Sequence, residues 1–432
     1  MIAIEWDEVE SLDLGALEPG ENAEAGRITG IKADSRVVGP GDLFVALNTG
    51  VEHVGDAAAR GSATLVPRDQ EAALAALASL VRSKSDARVV AVVGSAGKTS
   101  TKDILGAFCG AVASTIWAAE SQNNEIGLPL TVCRLEPETE ILVAEMGMRG
   151  LGQIAELCAI ARPDVALVSS IGPEHLELVG SVEGVAEANA EAIVALPPGG
   201  IAVVPADAPE LEPHLYRDDI EIRRFDRAGI RGAGHEWTLP LPGGAITLTL
   251  PFTARHMAEN TLAALTAYDA LGLPLARAQE GASAITLSRW RGEEMPLPGG
   301  GIVVNDAYNA NPTSMKAALV DLTTRAGDRR KVAILGEMAE LGAASQAYHE
   351  EIGVLLDELG VELVIAVGDG ARPYLGGQPT PTRRWILGPA AFDDVASLLQ
   401  PGDAILVKAS RAVGLEGIPA SIEKRGRAWS ES

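Results

Sequence analysis

The chain has 432 residues, of which 47% are hydrophobic and 22% charged, the balance of a globular protein with about two to four domains. Asp and Glu number 59 against 35 Lys and Arg, and the resulting net charge of −24 argues against nucleic acid or anionic membranes as the main partner. Three widely spaced cysteines, an acidic start and the lack of a ~20-residue apolar run predict a cytoplasmic protein without membrane insertion.

The first predicted segment spans residues 1–84 and contains a short strand and a helix. Residues 40–47 (PGDLFVAL) have the pattern of a turn that leads into a buried strand. Residues 70–82 are rich in Ala and Leu, which predicts a helix. Residues 83–86 (SKSD) are typical of a linker, so we expect the first segment to end here.

The second predicted segment, residues 85–297, alternates strands with helices. The run 88–93 (RVVAVV) is continuous and β-branched, as in parallel strands that are buried on both faces. Three further strand runs lie at 141–144, 164–168 and 201–204. This alternation predicts βαβ units in a parallel sheet, followed by a hairpin at 242–244 and a helix over 254–271.

The third predicted segment, residues 298–432, repeats this alternation. Its strand runs lie at 301–304, 331–335, 363–367 and 404–407. The repetition predicts a second domain that is built on a parallel sheet. The fold class expected for the chain is therefore α/β.

A glycine-containing loop joins the first strand of the second segment to its helix. This phosphate loop consists of Gly94, Ser95, Ala96, Gly97, Lys98, Thr99 and Ser100. Backbone N–H groups in such a loop approach phosphate oxygens, and the helix N-terminus adds partial positive charge. We predict that Lys98 binds the β- and γ-phosphates of ATP or GTP and that Thr99 ligates Mg²⁺. The general pattern has glycine where Val92 stands, and the alternative is a plain strand–helix turn with an exposed lysine.

Two further candidates follow later strands, at the sheet edge where α/β proteins collect ligands. Glu145 comes directly after the run 141–144, and His175 follows the run 164–168. A carboxylate and an imidazole suit metal ions that bridge ATP and a reacting carboxylate. Each residue taken alone is more often a capping or surface group.

Four stretches resemble the Mur ligase family, and the resemblance extends over nearly the whole chain. They are residues 123–129 (NNEIGLP), 145–150 (EMGMRG), 306–315 (DAYNANPTSM) and 335–342 (LGEMAELG). The Glu-Met-Gly and Tyr-Asn-Ala-Asn-Pro parts are most similar to the members that add D-alanyl-D-alanine. The Asp-Asn-Pro-Arg signature of the diaminopimelate-adding members is absent.

The resemblance implies an architecture and a reaction. The architecture is a small N-terminal α/β domain for the UDP-linked substrate, a central ATPase domain and a C-terminal Rossmann-like domain. The reaction is ATP- and Mg²⁺-dependent ligation of UDP-N-acetylmuramoyl-tripeptide to D-alanyl-D-alanine, for peptidoglycan synthesis. The tripeptide carboxylate would attack the γ-phosphate to give an acyl phosphate and ADP, and the dipeptide amine would then displace phosphate. Such transfer relies on positioning and charge neutralisation, and a monomer is expected.

The resemblance also implies roles for individual residues. Thr99 and Glu145 would hold one Mg²⁺, and His175 would hold a second. Nucleotide contacts beyond the phosphate loop would come from Asn260, Arg289, Asp306 (to the ribose) and Asn309. Substrate contacts would come from Ser35, Arg36, Asn123, Asn124, Lys408, Ser410 and Arg411. Ser35 and Arg36 equally fit a structural cap and a surface arginine.

Four positions depart from the family pattern. Ala96 and Met257 stand where Asn is usual, Ala409 stands where Gly is usual, and Asn189 replaces a lysine that can be carbamylated. We therefore expect the second Mg²⁺ to rely on His175, Glu145 and water, with at most a weak contribution from the Asn189 amide oxygen. The alternatives are a Mur-type amide ligase with another acceptor or amine, and a paralogue that binds nucleotide with weakened catalysis. Phosphate release in the presence of both substrates distinguishes them.

Overall fold

The structure, a computed structural model, describes residues 1–20 and 26–430. It is an α/β protein whose two larger sheets are mainly parallel, as the alternation of apolar runs predicted. Within these residues no helix combines the length and the apolar character needed to cross a lipid bilayer.

The N-terminal part is a small mixed sheet with three helices. Its elements are β1 (Ile4–Glu5), α1 (Trp6–Ser11), β2 (Gly15–Glu18), β3 (Arg27–Ile28), β4 (Gly30–Lys32), β5 (Asp42–Val45), α2 (Val54–Ala58), β6 (Ala63–Pro67) and α3 (Gln70–Ser83). The sheet order is β2-β6-β5-β4, with only β2 antiparallel, and β1 pairs separately with β3. Asp69 is the N-cap of α3, and its carboxylate accepts a hydrogen bond from the Ala72 N–H at 3.0 Å.

The central part is built on six parallel strands. Its strands are β7 (Arg88–Val93), β8 (Thr115–Trp117), β9 (Ile141–Glu145), β10 (Val165–Val168), β11 (Ile201–Pro205) and β12 (Glu221–Phe225), followed by β13 (Arg231–Ala233), β14 (Glu236–Leu241) and β15 (Gly244–Thr249). The order is β12-β11-β10-β7-β9-β8, and β13–β15 form a separate antiparallel sheet. Because the order reverses at β7, the phosphate loop that follows β7 lies at the switch point where such sheets bind ligands.

Seven α-helices cover or flank the central sheet in the described residues. They are α4 (Lys98–Gly110), α5 (Gly127–Val132), α6 (Gln153–Ala161), α7 (Leu176–Val179), α8 (Val182–Val194), α9 (Arg255–Ala270) and α10 (Ala278–Ser283). Helices α4 and α9 pack on the face of the sheet that carries Val90 and Val92. The opposite face, with Val89 and Val93, packs on α8 and on the N-terminal part.

The C-terminal part carries a second six-stranded sheet. Its elements are β16 (Glu293–Leu297), β17 (Gly301–Asp306), α11 (Pro312–Ala326), β18 (Lys331–Gly336), α12 (Ser345–Glu358), β19 (Leu363–Val367), β20 (Arg383–Ile386), α13 (Asp393–Ala396), β21 (Ala404–Lys408) and α14 (Ile418–Ser430). The order is β16-β17-β21-β18-β19-β20, and β16 alone is antiparallel. The carboxyl ends of β17 and β21 face the phosphate loop across a cleft.

Candidate active site

A cleft of about 610 Å³ lies between the central and C-terminal sheets. Most of the residues predicted from the sequence line it: Ser95, Gly97, Lys98, Thr99, Ser100, Asn123, Asn124, Glu145, His175, Asn260, Asp306, Asn309, Lys408, Ser410 and Arg411. The fold thus brings together side chains from seven separate stretches of the chain. Gly94, Arg289, Ser35 and Arg36 lie outside the lining.

The phosphate loop needs its two glycines. Gly97 precedes α4 with a φ of 82°, and a Cβ atom at this position would lie 2.3 Å from Oδ1 of Asn260. Gly94 has a φ of 124°, and its Cβ would lie 2.4 Å from Oγ of Ser169. Both φ values fall where L side chains are strained. The loop is therefore pressed against its neighbours, and the N–H groups of Ser95 and Ala96 donate to the carbonyl and hydroxyl oxygens of Ser170.

Lys98 is held at the phosphate loop by an acidic residue that the sequence analysis missed. Its Nζ atom lies 3.1 Å from Oε1 of Glu174 and also donates to the carbonyl oxygen of Gly94. The Glu174 side chain is only 7% exposed, so the pair is shielded from water. The signal that marks Glu174 is its position immediately before His175 in the loop that follows β10.

Thr99, Glu145 and Asn123 form a hydrogen-bonded group on the cleft floor. Oγ1 of Thr99 donates to Oε1 of Glu145 at 3.0 Å, and Nδ2 of Asn123 donates to the same oxygen at 2.8 Å. The other Glu145 oxygen, Oε2, is buried without a protein donor. A buried carboxylate oxygen in that state fits a cation, since burial of an uncompensated charge is costly.

A cation here would depend on few protein ligands. Among the residues that the structure describes, no three His, Cys, Asp or Glu side chains are grouped so as to hold a metal ion. Thr99 and Glu145 would therefore supply two oxygens, and the remaining ligands would be phosphate or water oxygens. That donor set suits Mg²⁺, which usually keeps several waters and binds one or two carboxylates.

His175 lies where the central and C-terminal parts meet. It has a φ of 51°, directly before α7. Its Nε2 atom lies 3.4 Å from Oε1 of Glu174, and its Nδ1 atom pairs with a carboxylate oxygen of Glu340. Glu340 also lies 3.6 Å from Nε of Arg149. The predicted metal ligand thus lies between a carboxylate of the central part and a carboxylate of the C-terminal part.

Asn189 binds the phosphate loop, which differs from the expectation of a weak metal contact. Its Oδ1 atom accepts a hydrogen bond from the Gly94 N–H at 2.6 Å, and its Nδ2 atom donates to the carbonyl oxygen of Val185 at 2.8 Å. The side chain is buried in α8 with 2% exposure. Because both polar atoms have protein partners, the residue stabilises the loop conformation.

Arg291, rather than the predicted Arg289, reaches the cleft. Arg289 is exposed, and its guanidinium lies 5.2 Å from the centre of the Trp290 ring. Arg291 donates from Nη2 to Oγ1 of Thr99 at 2.9 Å and stacks on Tyr308 at 4.0 Å. Its buried Nε atom has no protein acceptor. Trp290 lies between the two arginines in a turn and has a φ of 58°, so the chain changes direction there and the two side chains have different surroundings.

Lys408 and Ser410 hold the C-terminal loops together. Nζ of Lys408 pairs with Oδ2 of Asp306 at 2.6 Å and donates to the Asn309 carbonyl oxygen at 2.9 Å. Oγ of Ser410 accepts from the Ala339 N–H at 2.8 Å. Both side chains therefore already have protein partners at the cleft wall.

Arg411 is more exposed than Lys408 and Ser410, the other two substrate contacts predicted in the C-terminal segment. Its side chain is 50% exposed, pairs with Glu416 at 3.0 Å and stacks on Trp290 at 4.4 Å.

Ser35 and Arg36 lie in a turn after β4. Arg36 is exposed and forms a double hydrogen bond with Asp34, and this partner lowers the pKa of Asp34 to about 2. The arginine is therefore already paired within its own turn. Its contact with a substrate stays a prediction.

Comparisons with known proteins identify the family. The Mur ligase middle domain matches residues 92–268, and the Mur ligase, glutamate ligase domain, matches residues 290–411. The UDP-N-acetylmuramoyl-tripeptide–D-alanyl-D-alanine ligase of Escherichia coli (strain K12) is 31% identical, over 92% of this chain and 94% of its own. The enzyme of the same name from Bacillus subtilis (strain 168) is 32% identical, over 82% of this chain and 80% of its own.

Solved structures agree with this assignment. A crystal structure of MurF from Acinetobacter baumannii has a TM-score of 0.83 and 26% identity, and the match covers 98% of this chain and 99% of that one. The structure of MurF from Thermotoga maritima in complex with ADP has a TM-score of 0.79 and 27% identity, and the match covers 92% of this chain and 98% of that one. The predicted α/β fold and the predicted resemblance are both confirmed. The chain belongs to the Mur ligase family, whose named members here are ligases.

Proposed function

We propose that the protein is an ATP-dependent ligase that adds D-alanyl-D-alanine to UDP-N-acetylmuramoyl-tripeptide through an acyl phosphate, in peptidoglycan precursor synthesis. The names of its relatives support this proposal. The observation that carries it is a single cleft where Lys98, Arg291 and the unpaired oxygen of Glu145 converge. We assign residues 1–84 to the UDP-linked substrate, 85–297 to ATP and 298–432 to the dipeptide.

The nucleotide is proposed to lie along the cleft. The N–H groups of the phosphate loop and Lys98 bind its β- and γ-phosphates. Asp306, at the end of β17, takes the ribose, with Asn260 and Asn309 beside it. The Lys98–Glu174 pair at 3.1 Å supports this orientation, since it holds the ammonium at the loop before any phosphate arrives.

Mg²⁺ is the proposed metal, held first by Thr99 and Glu145, with a second ion near His175. It supplies neutralisation of the charge on the β- and γ-phosphates. The buried and unpartnered Oε2 atom of Glu145 supports the first site. Asn123 orients the Glu145 carboxylate by donating to its other oxygen at 2.8 Å.

The chain's own residues position the reacting groups and balance their charge. In the first step a carboxylate oxygen of the tripeptide bonds to the γ-phosphorus while the bond to ADP breaks. Lys98 and Arg291 bind the transferring phosphoryl group from two sides. In the second step the dipeptide amine bonds to the acyl carbon, loses a proton, and phosphate leaves with the carboxylate oxygen. The two positive side chains act in both steps because the same phosphate is held throughout.

A cytoplasmic location is part of the proposal. All three cysteines are free and buried, and burial raises the pKa of each thiol to about 12. Such thiols are unreactive and need no oxidising compartment.

The test of the proposal is a ligation assay with the full chain. ATP, UDP-N-acetylmuramoyl-tripeptide and D-alanyl-D-alanine are combined, and phosphate release and the mass of the peptide product are measured. We expect product and phosphate in equal amounts, and little of either when the dipeptide is replaced by single D-alanine. Ligation of a different amine in preference to the dipeptide would identify another Mur-type ligase. Nucleotide binding without any amide product would identify a paralogue with weakened catalysis.

A further inference from the structure

A buried ion pair lies on α4, one turn beyond the phosphate loop and outside the cleft lining. Nζ of Lys102 and Oδ1 of Asp103 are 2.7 Å apart, and their side chains are 0% and 4% exposed. Burial of two charges is costly unless every donor and acceptor has a partner. The other contacts of the pair therefore indicate what it is for.

Lys102 binds the segment that follows β8. Besides Asp103, its ammonium donates to the carbonyl oxygens of Ala118 and Glu120, each at 2.7 Å. All three N–H donors of the ammonium are thus used. The next residue, Ser121, has its Oγ atom 3.0 Å from Oγ1 of Thr99. Lys102 therefore fixes the backbone that brings Ser121 to the cleft floor.

Asp103 binds the linker to the C-terminal sheet. Its second oxygen, Oδ2, accepts a hydrogen bond from the Ser288 N–H at 2.8 Å. Three residues later the same linker delivers Arg291, which donates to Oγ1 of Thr99 at 2.9 Å and to Oγ of Ser121 at 3.2 Å. Asp103 thus fixes the backbone that brings Arg291 to the phosphate end of the cleft.

The two segments meet at one helix turn. Thr99 lies three and four positions before Lys102 and Asp103, so all three residues neighbour one another on α4. The helix that begins at the phosphate loop therefore also holds the two segments that complete the surroundings of Thr99. We propose that Lys102 and Asp103 are positioning residues for phosphoryl transfer, which they promote by fixing Ser121 and Arg291 against Thr99. This inference rests on the proposed function.

Asp103→Asn is the most specific test because the amide has nearly the same shape as the carboxylate that it replaces. The amide oxygen serves either Lys102 or the Ser288 N–H, and the amide nitrogen then opposes the other donor. One of the two contacts is therefore lost. Asp403→Asn is the matched control, since Asp403 is 1% exposed, pairs with Arg330 at 2.8 Å and lies outside the cleft lining.

The measurement compares the effect of each substitution on kcat with its effect on the Kd for ADP. For Asp103→Asn we expect kcat to fall by about tenfold to a hundredfold, because small misplacements of reacting groups have large effects on rate. The Kd for ADP should stay close to that of the unmodified protein. For Asp403→Asn we expect a lower denaturation midpoint with unchanged kcat. Equal kcat values for the two folded variants would overturn the proposal.

A second measurement needs neither a variant nor turnover. Residue-resolved amide hydrogen exchange on the unmodified full chain should show the Ser288 amide exchanging much more slowly than the amide of the exposed Arg289. Exchange of Ser288 at the rate of Arg289 would refute the contact with Asp103 even if Asp103→Asn failed to fold. Slow exchange of Ser288 in a protein that ligates no dipeptide would overturn the proposed function and leave the positioning contact in place.

Discussion

The central sheet meets its two neighbours through junctions of opposite character. At the apolar junction, α3 of the N-terminal part packs on α5 and α6, and Leu77, Leu128 and Ile154 belong to one buried cluster with 0% exposure. At the polar junction, the C-terminal part meets the cleft through hydrogen bonds and ion pairs. There Asn311 donates to the Ser95 carbonyl oxygen at 3.0 Å, and Glu340 pairs with His175.

We infer from this difference that the apolar junction contributes mainly to stability and that the polar junction contributes mainly to the reaction. An apolar junction is stabilised by removal of surface from water and does not depend on a ligand. A polar junction that is made of site residues changes its contacts when substrates bind, and such junctions permit domain motion. We therefore expect the N-terminal part to stay fixed on the central sheet, while the C-terminal part opens and closes over the cleft.

The largest effect is expected at the centre of the polar junction. Lys98→Ala should reduce kcat by at least about a hundredfold, because it removes the charge that we propose to bind the transferring phosphate. It should also lower the thermal midpoint, since the buried Glu174 loses its partner at 3.1 Å. Adding Glu174→Gln to Lys98→Ala should restore the midpoint without restoring kcat. Near-normal turnover in Lys98→Ala would refute the assignment of the phosphate loop.

At the apolar junction the expected loss is in stability. Leu77→Ala should lower the free energy of unfolding by about 2–5 kcal/mol, the cost of a cavity in a core, with unchanged kcat per folded molecule. Leu356→Ala is the matched control, since both leucines are 0% exposed and Leu356 lies within the C-terminal core. Urea denaturation measures both. A much smaller cost for Leu77→Ala would mean that the N-terminal part is only loosely attached.

A smaller effect is expected for the hydrogen bond that crosses the polar junction. Asn311→Ser removes the donor to Ser95 but keeps a good N-cap for α11. Loss of one such bond is worth about 0.5–1.5 kcal/mol, so KM for ATP should rise by about twofold to tenfold. Steady-state kinetics at saturating dipeptide measures the change. An unchanged KM would show that this contact does not support the nucleotide-bound state.

The smallest effect is expected at the outer ion pairs of the polar junction. Glu340 is 37% exposed, so Glu340→Gln should change KM for ATP by no more than about fivefold and should flatten its dependence on KCl. Glu351→Gln is the matched control, because Glu351 pairs with Lys316 at 2.6 Å within the C-terminal part. A salt dependence that is flattened equally by both substitutions would contradict a junction effect.

In the two six-stranded sheets, the sequence was sufficient to predict the buried strands and insufficient to predict the edge strands. Strands such as β7 and β19 consist almost wholly of apolar, mainly β-branched residues and are recognisable without context. The edge strands β12 (EIRRF), β20 (RRWI) and β16 (EEMPL) carry charged residues and were not predicted. Edge strands face water, so selection for apolar runs is weak there.

In the cleft, local patterns were predictable and long-range pairings were not. Glu145 is the last residue of β9, and Lys98 and Thr99 begin the helix that follows β7, so the topology alone brings them to one sheet edge. Glu174 and Arg291 lie in the cleft because of contacts to residues 76 and 192 positions away. Those contacts depend on how loops pack, which periodicity and propensity do not encode.

The most direct test of the account follows the oxygen atoms. The tripeptide carboxylate of UDP-N-acetylmuramoyl-tripeptide is labelled with ¹⁸O, and the full chain is supplied with ATP, Mg²⁺ and D-alanyl-D-alanine. If the cleft transfers the γ-phosphoryl group to the carboxylate before the amine attacks, each released phosphate carries one labelled oxygen. Released phosphate that is free of label, with the amide product formed, would contradict the acyl-phosphate route.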